Sequence, residues 1–485
     1  MTAFPPSTRG QQNVKPNLMI DLSRRVAQNA YDEKTNPTGI IDLGSASNAL
    51  MRDEVESWVK RTETAGDIRN CSYRNLKYND TRCAPHLPAA AATFVNTFFH
   101  PRVVLTPTNI LVANGLTALL DTLFFNLADA GAAVLVPTPS YGMFQHDLAA
   151  RNGLHLVPVP CDDIIQARFR QHVRPGRPQP ELLNRLKKAA QEQRALGRPV
   201  AAVLLANPDN PLAACYSSGM LRWIVKWCRL ERVHLVVDEV YALSGGEEFQ
   251  SVLHLGLDDM LENVHVLYGM SKDFGLGGCR VGFLATYNEQ LYRAMRTCSM
   301  FTWVSAFGGI IATRLLSDTD YISQTFLPKF QALLKERRDY LATILPDNNI
   351  GYSSPNAAFF VYVNLQPWLS YFAENEEKLI SIAASDSTGS STQELALLEH
   401  LIHHGVFLEP GQAFFAQEPG HFRLNYGIEG RDFVKGLARL LGALRALSGE
   451  KLCAEELDVG VFDGRQQQQQ QQHSGWRFLS CLDSS

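Results

Sequence analysis

Two hydrophobic rhythms run along the chain. Between about residues 95 and 315, short and almost continuous apolar runs recur: AAVLVPTPSY (132–141), LHLVPVP (154–160), AAVLLANP (201–208), HLVVDEVY (234–241), VHVLYGMS (264–271) and GFLATY (282–287). Runs of this length without polar alternation predict strands covered on both faces, as in a mostly parallel sheet. TALLDTLFFNLADAG, ELLNRLKKAAQEQRALG and LRWIVKWCRLE lie between them and read as helices. The expectation is a three-layer α/β domain over residues 96–318. From 319 the rhythm changes. A long amphipathic segment, YISQTFLPKFQALLKERRDYLATIL, leads to strand-like FFVYVNL, VFLEPG and FRLNYG and a closing helix at 431–448. That order predicts a smaller α+β domain over 319–449, which residues 18–95 join.

The two ends lack either rhythm. Residues 1–17 are polar with three prolines and predict a mobile arm. Residues 450–485 contain a seven-glutamine run that offers no apolar face, so they are expected to be disordered. SDSTGSSTQ (385–393) reads as a surface loop.

Composition narrows the functional classes. With 485 residues and 45% hydrophobic content, the chain can bury large layers in two or more domains. A net charge of −4 and 19% charged residues give no polybasic surface for nucleic acid or membrane. No apolar run reaches the ~20 residues of a spanning helix, and MTAFPPSTRGQQNVKPN lacks the apolar core of a secretion signal. Nine cysteines without CxxC spacing read as reduced thiols. A cytosolic protein without nucleic-acid or membrane partners is expected.

Candidate chemistry begins with YGMSKDFGLGGCRVGF (268–283), where Lys272 sits between an apolar run and a glycine-rich stretch, followed by Arg280. By itself this stretch also fits a turn with two solvated cations. The ends of the other runs add weight to the chemical reading. In an open α/β sheet, ligands collect at the carboxyl ends of the strands. Those ends carry Tyr141, Asn207, Asp238 with Tyr241, and Lys272 with Arg280. A lysine in a desolvated site forms a Schiff base with an aldehyde. A buried carboxylate such as Asp238 keeps a pyridine nitrogen protonated. A guanidinium and the helix start at ANGLTALL (113–120) suit a phosphate, and Tyr141 offers an aromatic face. Together these are the needs of pyridoxal 5'-phosphate. Singly, Asp238 also fits a helix cap, Asn207 a turn, Tyr141 core packing and Gly115 a tight turn.

NPTGIIDLG (36–44), LADAGAAVLVPTPSYGMF, ANPDNPL, VVDEVY, SKDFGLGGCRVGF and EPGHFRLNYG, in this order, carry a resemblance. The chain resembles the class I and II aminotransferases of the fold-type I pyridoxal-phosphate enzymes. Within them it is most similar to the aminocyclopropane-carboxylate synthase-like branch, which includes fungal secondary-metabolite enzymes. The resemblance implies that Lys272 holds the cofactor and carries the Cα proton, and that Asp238 pairs with the ring nitrogen. It implies Asn207 and Tyr241 at the phenolic oxygen, Tyr141 on the ring, and Leu116, Thr117, Ser271 and Arg280 around the phosphate. Arg423 would grip the α-carboxylate of an amino-acid-type substrate. It further implies a homodimer with RTCSMFTWVSAFGG (296–309) at the subunit boundary.

Three positions depart from the family pattern. Ser47, in GSASNA, replaces a substrate-binding glutamate; Thr81 follows YND where a tyrosine is usual; Gly269 replaces a phosphate-binding serine. The first two argue against cyclopropane synthesis. Amino-group transfer is therefore the first expectation, elimination or replacement at a side-chain carbon the second, and a non-catalytic homologue the third.

Overall fold

The computed structural model describes residues 4–14, 16–71, 73, 86–165, 180–255, 258–372, 392–449, 457 and 461–462. The chain's short apolar runs build a seven-stranded sheet. Its strands are β2 (Ile110–Ala113), β3 (Ala133–Thr138), β4 (His155–Pro160), β5 (Val200–Ala206), β6 (His234–Asp238), β7 (Val264–Gly269) and β8 (Gly282–Thr286), with β1 (Ile41–Asp42) lying elsewhere. Their order is β2-β8-β7-β6-β5-β3-β4. β3 is parallel to β4 and β5, β6 to β5 and β7, while β8 is antiparallel to both β7 and β2.

Burial explains the absence of polar alternation. Every residue of β3 and β7 is buried. Along β3, Ala133 and Leu135 join one apolar cluster while Val134 and Val136 join the other. A strand whose two faces meet separate helical layers has no solvent side for polar residues. β4 departs from the two-face expectation: it lies at the sheet edge, and His155 and Pro158 are exposed.

After 319 comes the helix Leu327–Asp347. A four-stranded antiparallel sheet follows, ordered β12 (Glu409–Pro410), β13 (His421–Asn425), β10 (Phe360–Asn364) and β9 (Gly351–Tyr352). Helices Thr392–His403 and Gly430–Ser448 accompany it. β1 pairs in parallel with β11 (Val406–Phe407), which ties the N-terminal segment to this smaller unit.

Both ends differ from expectation where they are described. Within the predicted mobile arm, Thr8–Gln12 is helical because the Ser7 side chain caps Gly10 N–H, and Asn13 Nδ2 donates to Ala150 O at 3.2 Å. In the predicted disordered tail, Phe462 is packed. Its ring lies 3.8 Å from the Arg337 guanidinium and 5.1 Å from the Tyr340 ring. Gly430 has no side chain to block it. The glutamine run, WRFL (476–479) and residues 385–391 lie outside the described residues, and Thr392 begins a helix. Among the described residues, no helix is long and apolar enough to cross a membrane.

Candidate active site

Strand direction gathers the candidate residues at one edge of the large sheet. The carboxyl ends of β2, β3, β5, β6 and β7 all point there, leading into Gly115–Thr117, Tyr141, Asn207, Asp238 with Tyr241, and Lys272. Because β8 runs antiparallel to β7, its amino end returns to the same edge and brings Arg280 with it.

The Lys272 side chain is half-buried, and its Nζ donates to Ala46 O at 2.8 Å. Burial, then the charges of Arg423 and Arg280, lowers its pKa to about 8 against the pull of Asp238. Asp238 is buried at the end of β6 and accepts from Val240 N–H at 3.1 Å. Its burial raises the carboxyl to about 7, with Val240 N–H and Lys272 opposing. Three residues on, Tyr241 is buried against Phe359 and Phe360 with ring centroids at 5.6 and 5.3 Å. Burial pushes the hydroxyls of Tyr241 and Tyr141 up, and Arg423 opposes both shifts, so these rings share the field of one guanidinium.

At the next strand end, the helix Leu116–Leu127 starts without a side-chain cap, because its first flanking residue is Gly115 at φ 112°. A methyl group there would lie 2.5 Å from Arg280 Nη2, so only glycine admits the guanidinium beside the helix start. Ser271, half-buried, lies between Lys272 and the end of β7. Gly269 stands opposite Gly282 across the β7–β8 pair, and Leu116 packs over both. A side chain at 269 would begin 2.3 Å from Leu116 Cδ1. Glycine at 269 and leucine at 116 are thus one packing solution.

Arg423, on β13, is buried. Its Nε and Nη2 donate to Gly44 O at 3.1 and 2.6 Å, and its Nη1 donates to Asn210 Oδ1 at 2.8 Å. The rings of Phe360 and Phe414 flank it at 5.2 and 4.9 Å. This geometry corrects one expectation. Asn207 is committed to the backbone: its Oδ1 accepts from Tyr216 N–H at 2.9 Å and its Nδ2 reaches Gln250 O at 3.4 Å. Asn210 is the amide that faces Arg423. The sequence held the clue, since NPDNP repeats the Asn-Pro pair.

The segment 44–49 joins the two ends of the site. Ala46 O accepts from Lys272 and Gly44 O from Arg423, while Asn48 Nδ2 donates to the carbonyls of Lys272 and Asp273 at 2.9 Å each. Asn425 Nδ2 holds the carbonyls of Ser45 and Ser47 at 2.7 and 2.8 Å. Ser47 itself is exposed.

Residues 38–440 match the family model described as aminotransferase class I and II. The chain belongs to this family. It is 31% identical over 410 residues to 1-aminocyclopropane-1-carboxylate synthase 5 of Arabidopsis thaliana, covering 82% of this chain and 81% of that protein. It is 30% identical over 429 residues to 1-aminocyclopropane-1-carboxylate synthase-like protein 1 of Homo sapiens, covering 88% and 80%. An aspartate aminotransferase of Thermus thermophilus, a mutant complexed with tryptophan, shares the fold with a TM-score of 0.71. That likeness comes at 20% identity, over 91% of this chain and all of that one. The fold is the fold-type I architecture.

Aminotransferases of this family work with pyridoxal phosphate, and the residues present fit it. A lysine of lowered proton affinity, a buried carboxylate, an uncapped helix start and an exposed arginine stand at one sheet edge. Asn114 Oδ1 and Thr138 Oγ1, at the ends of β2 and β3, are buried polar atoms with no partner among the described residues. Thr81, one of the departures from the family pattern, lies outside the described residues.

Proposed function

We propose that the protein is a pyridoxal-phosphate-dependent aminotransferase acting on an amino acid or an amino-acid-derived intermediate, in a fungal biosynthetic pathway. One observation carries the reading. A lysine amine lowered to about 8 shares its electrostatic surroundings with Asp238 and with the buried guanidinium of Arg423. Those are the two handles an α-amino acid offers: a proton at Cα and a carboxylate.

When bound, pyridoxal phosphate supplies an aldehyde for amines and a ring that draws electrons from bonds at Cα. The chain's own residues do the rest. Lys272 Nζ would be the base that accepts the Cα proton and holds it on the amine for redelivery within the site. Asp238 keeps a proton on the ring nitrogen, and a cation beside it offsets the burial that raises its pKa. Tyr241 and Asn210 serve the phenolic oxygen, with Asn210 taking the role first expected of Asn207. Tyr141 would lie against the ring. Arg280, Ser271 and the N–H groups of Leu116 and Thr117 would hold the phosphate. Arg423 orients the carboxylate so that the Cα–H faces the lysine, and Ser47 lines the approach.

A second reading, elimination or replacement at a side-chain carbon such as carbon–sulfur cleavage, draws support from relatives named as synthases rather than aminotransferases. Incubation of the holoenzyme with amino acids and S-alkyl cysteine conjugates separates the two. Keto acid without ammonia supports transfer; ammonia or thiol release supports elimination. A homodimer is part of the proposal. Met300, Phe301 and Phe307 are 57%, 73% and 48% exposed within 296–309, an apolar patch suited to a second copy. A fully active monomer in sedimentation would refute it.

A further inference from the structure

Glu409 has no role in the mechanism above, yet it stands directly opposite Arg423 in the β12–β13 register. Residues paired this way project from the same face of the sheet. Its side chain is 2% exposed, its Oε2 lies 4.0 Å from Arg423 Nη2, and its Oε1 has no partner among the described residues. Arg423 has five N–H donors, of which Gly44 O and Asn210 Oδ1 engage three. Two donors, one on each terminal nitrogen, remain for the oxygens of a carboxylate. A carboxylate docking there would be a second anion on one buried guanidinium, and like charges in a dry site do not both stay ionised.

We propose that Glu409 is a specificity-determining residue: it is the internal counter-ion of Arg423 in the free site and becomes a neutral acid when a substrate carboxylate docks. This rests on Arg423 being the carboxylate clamp. One proton leaves solvent and ends on a Glu409 oxygen for each carboxylate bound, and no other bond changes. The surrounding charges favour the exchange. Burial raises Glu409 to about 7, Arg423 opposes, and Asp42 on β1 adds to the rise. Tyr141 lies within its field. Glu394, on the helix Thr392–His403 packed against β12, commits its oxygens to the N–H groups of Gln412 and Gly420 at 2.9 and 2.5 Å. Ligands with a neutral group in place of the carboxylate need no such proton and are left to compete with an ion pair.

Butyrate, a carboxylate with no amine, is the probe. It is titrated into holoenzyme from pH 6 to 9.5 with the cofactor absorbance as readout. Proton uptake is measured by calorimetry in two buffers of different ionisation enthalpy. The expected Kd is flat below about pH 7 and rises about tenfold per unit above, because only the protonated Glu409 accepts the ligand. Uptake at pH 8 should be about one proton. Glu409→Gln should flatten the Kd profile and abolish the uptake. A Gln variant that keeps the wild-type slope overturns the inference while leaving the clamp intact, since the proton then belongs elsewhere. Wild-type binding without proton uptake at pH 8 overturns it too, and that measurement needs no variant. Arg423→Ala should weaken butyrate at least tenfold at every pH. Unchanged binding in that variant removes the clamp itself.

Discussion

At the lysine end of the site, the chain leaves most valences open; at the arginine end, it fills most of them with its own atoms. Among the described residues the Lys272 ammonium makes one hydrogen bond, to Ala46 O, and the helix start beside Arg280 is uncapped. Arg423, by contrast, already holds Gly44 O and Asn210 and lies 4.0 Å from Glu409. The lysine end rests on one edge of a large sheet whose β2, β3, β7 and β8 are buried throughout, which is stiff enough to hold groups apart from partners. The arginine end is assembled from β12, β13, the segment 44–49 and Asn210 beyond β5, short pieces that those internal bonds hold in register. Preorganisation takes two forms here: empty places kept ready, and filled places kept exchangeable.

The largest expected effect tests the open end. Lys272→Ala should lower Cα proton exchange, read as deuterium wash-in to a substrate amino acid by NMR, by at least ~10²-fold. The fold should survive, because the ammonium's recorded hydrogen bond is to Ala46 O alone. Persistent exchange would mean that the carrier lies elsewhere, and the contrast between the ends would fail.

Next comes pH. Only the neutral amine attacks an aldehyde, so capture of cofactor by the apoprotein, followed by absorbance, should speed up as pH rises. The rate should climb about tenfold per unit up to the value near 8 and level off above it. A plateau near 10.5, the ordinary lysine value, would show that the amine is not held in the desolvated state described.

A packing test follows in size. Gly269→Ser should cost about 1–3 kcal/mol of stability by overpacking against Leu116. The pair Leu116→Ala with Gly269→Ser should recover part of that loss, which denaturant unfolding measures. If the double variant is no better than the single one, the two positions are not coupled.

The smallest effect belongs to the small unit. Arg337 Nε and Nη1 have no partner among the described residues, and the guanidinium lies under Phe462 and 5.0 Å from the Phe433 ring. Phe462→Ala, or truncation after 449, should lower stability by about 0.5–2 kcal/mol. Truncation after 462 should leave stability unchanged. Equal melting of all three proteins would show that the aromatic cover contributes nothing.

The large sheet and the lysine end were legible in the sequence because both follow from one-dimensional signals. Continuous apolar runs mark two-faced strands, and residues just beyond them fall at the carboxyl edge. That rule found Lys272, Asp238 and Tyr241. It could not choose between Asn207 and Asn210, since both follow β5 in identical Asn-Pro steps and only the turn decides which amide meets Arg423. Glu409 went unnoticed within the strand-like VFLEPG, because its burial arises from pairing with β13. Gly269 looked like a lost ligand because its neighbour Leu116 is distant in sequence. Phe462 was hidden in a polar tail whose composition outweighs one ring.

The connection between β7 and β8 carries Lys272 and Arg280 on a single antiparallel bend anchored by the Gly269–Gly282 register. It works as a ruler. Under the proposed function, the distance between the group that would hold the reactive end of the cofactor and the one that would hold its anionic end is fixed by the residue count of one loop, not by the docking of separate elements. The arginine end, built from several short elements, has no such single ruler. An insertion or deletion of even one residue between 269 and 282 would misplace both cations together. Diversity in substrates should accumulate on one side of this molecule, and intolerance to changes in length on the other.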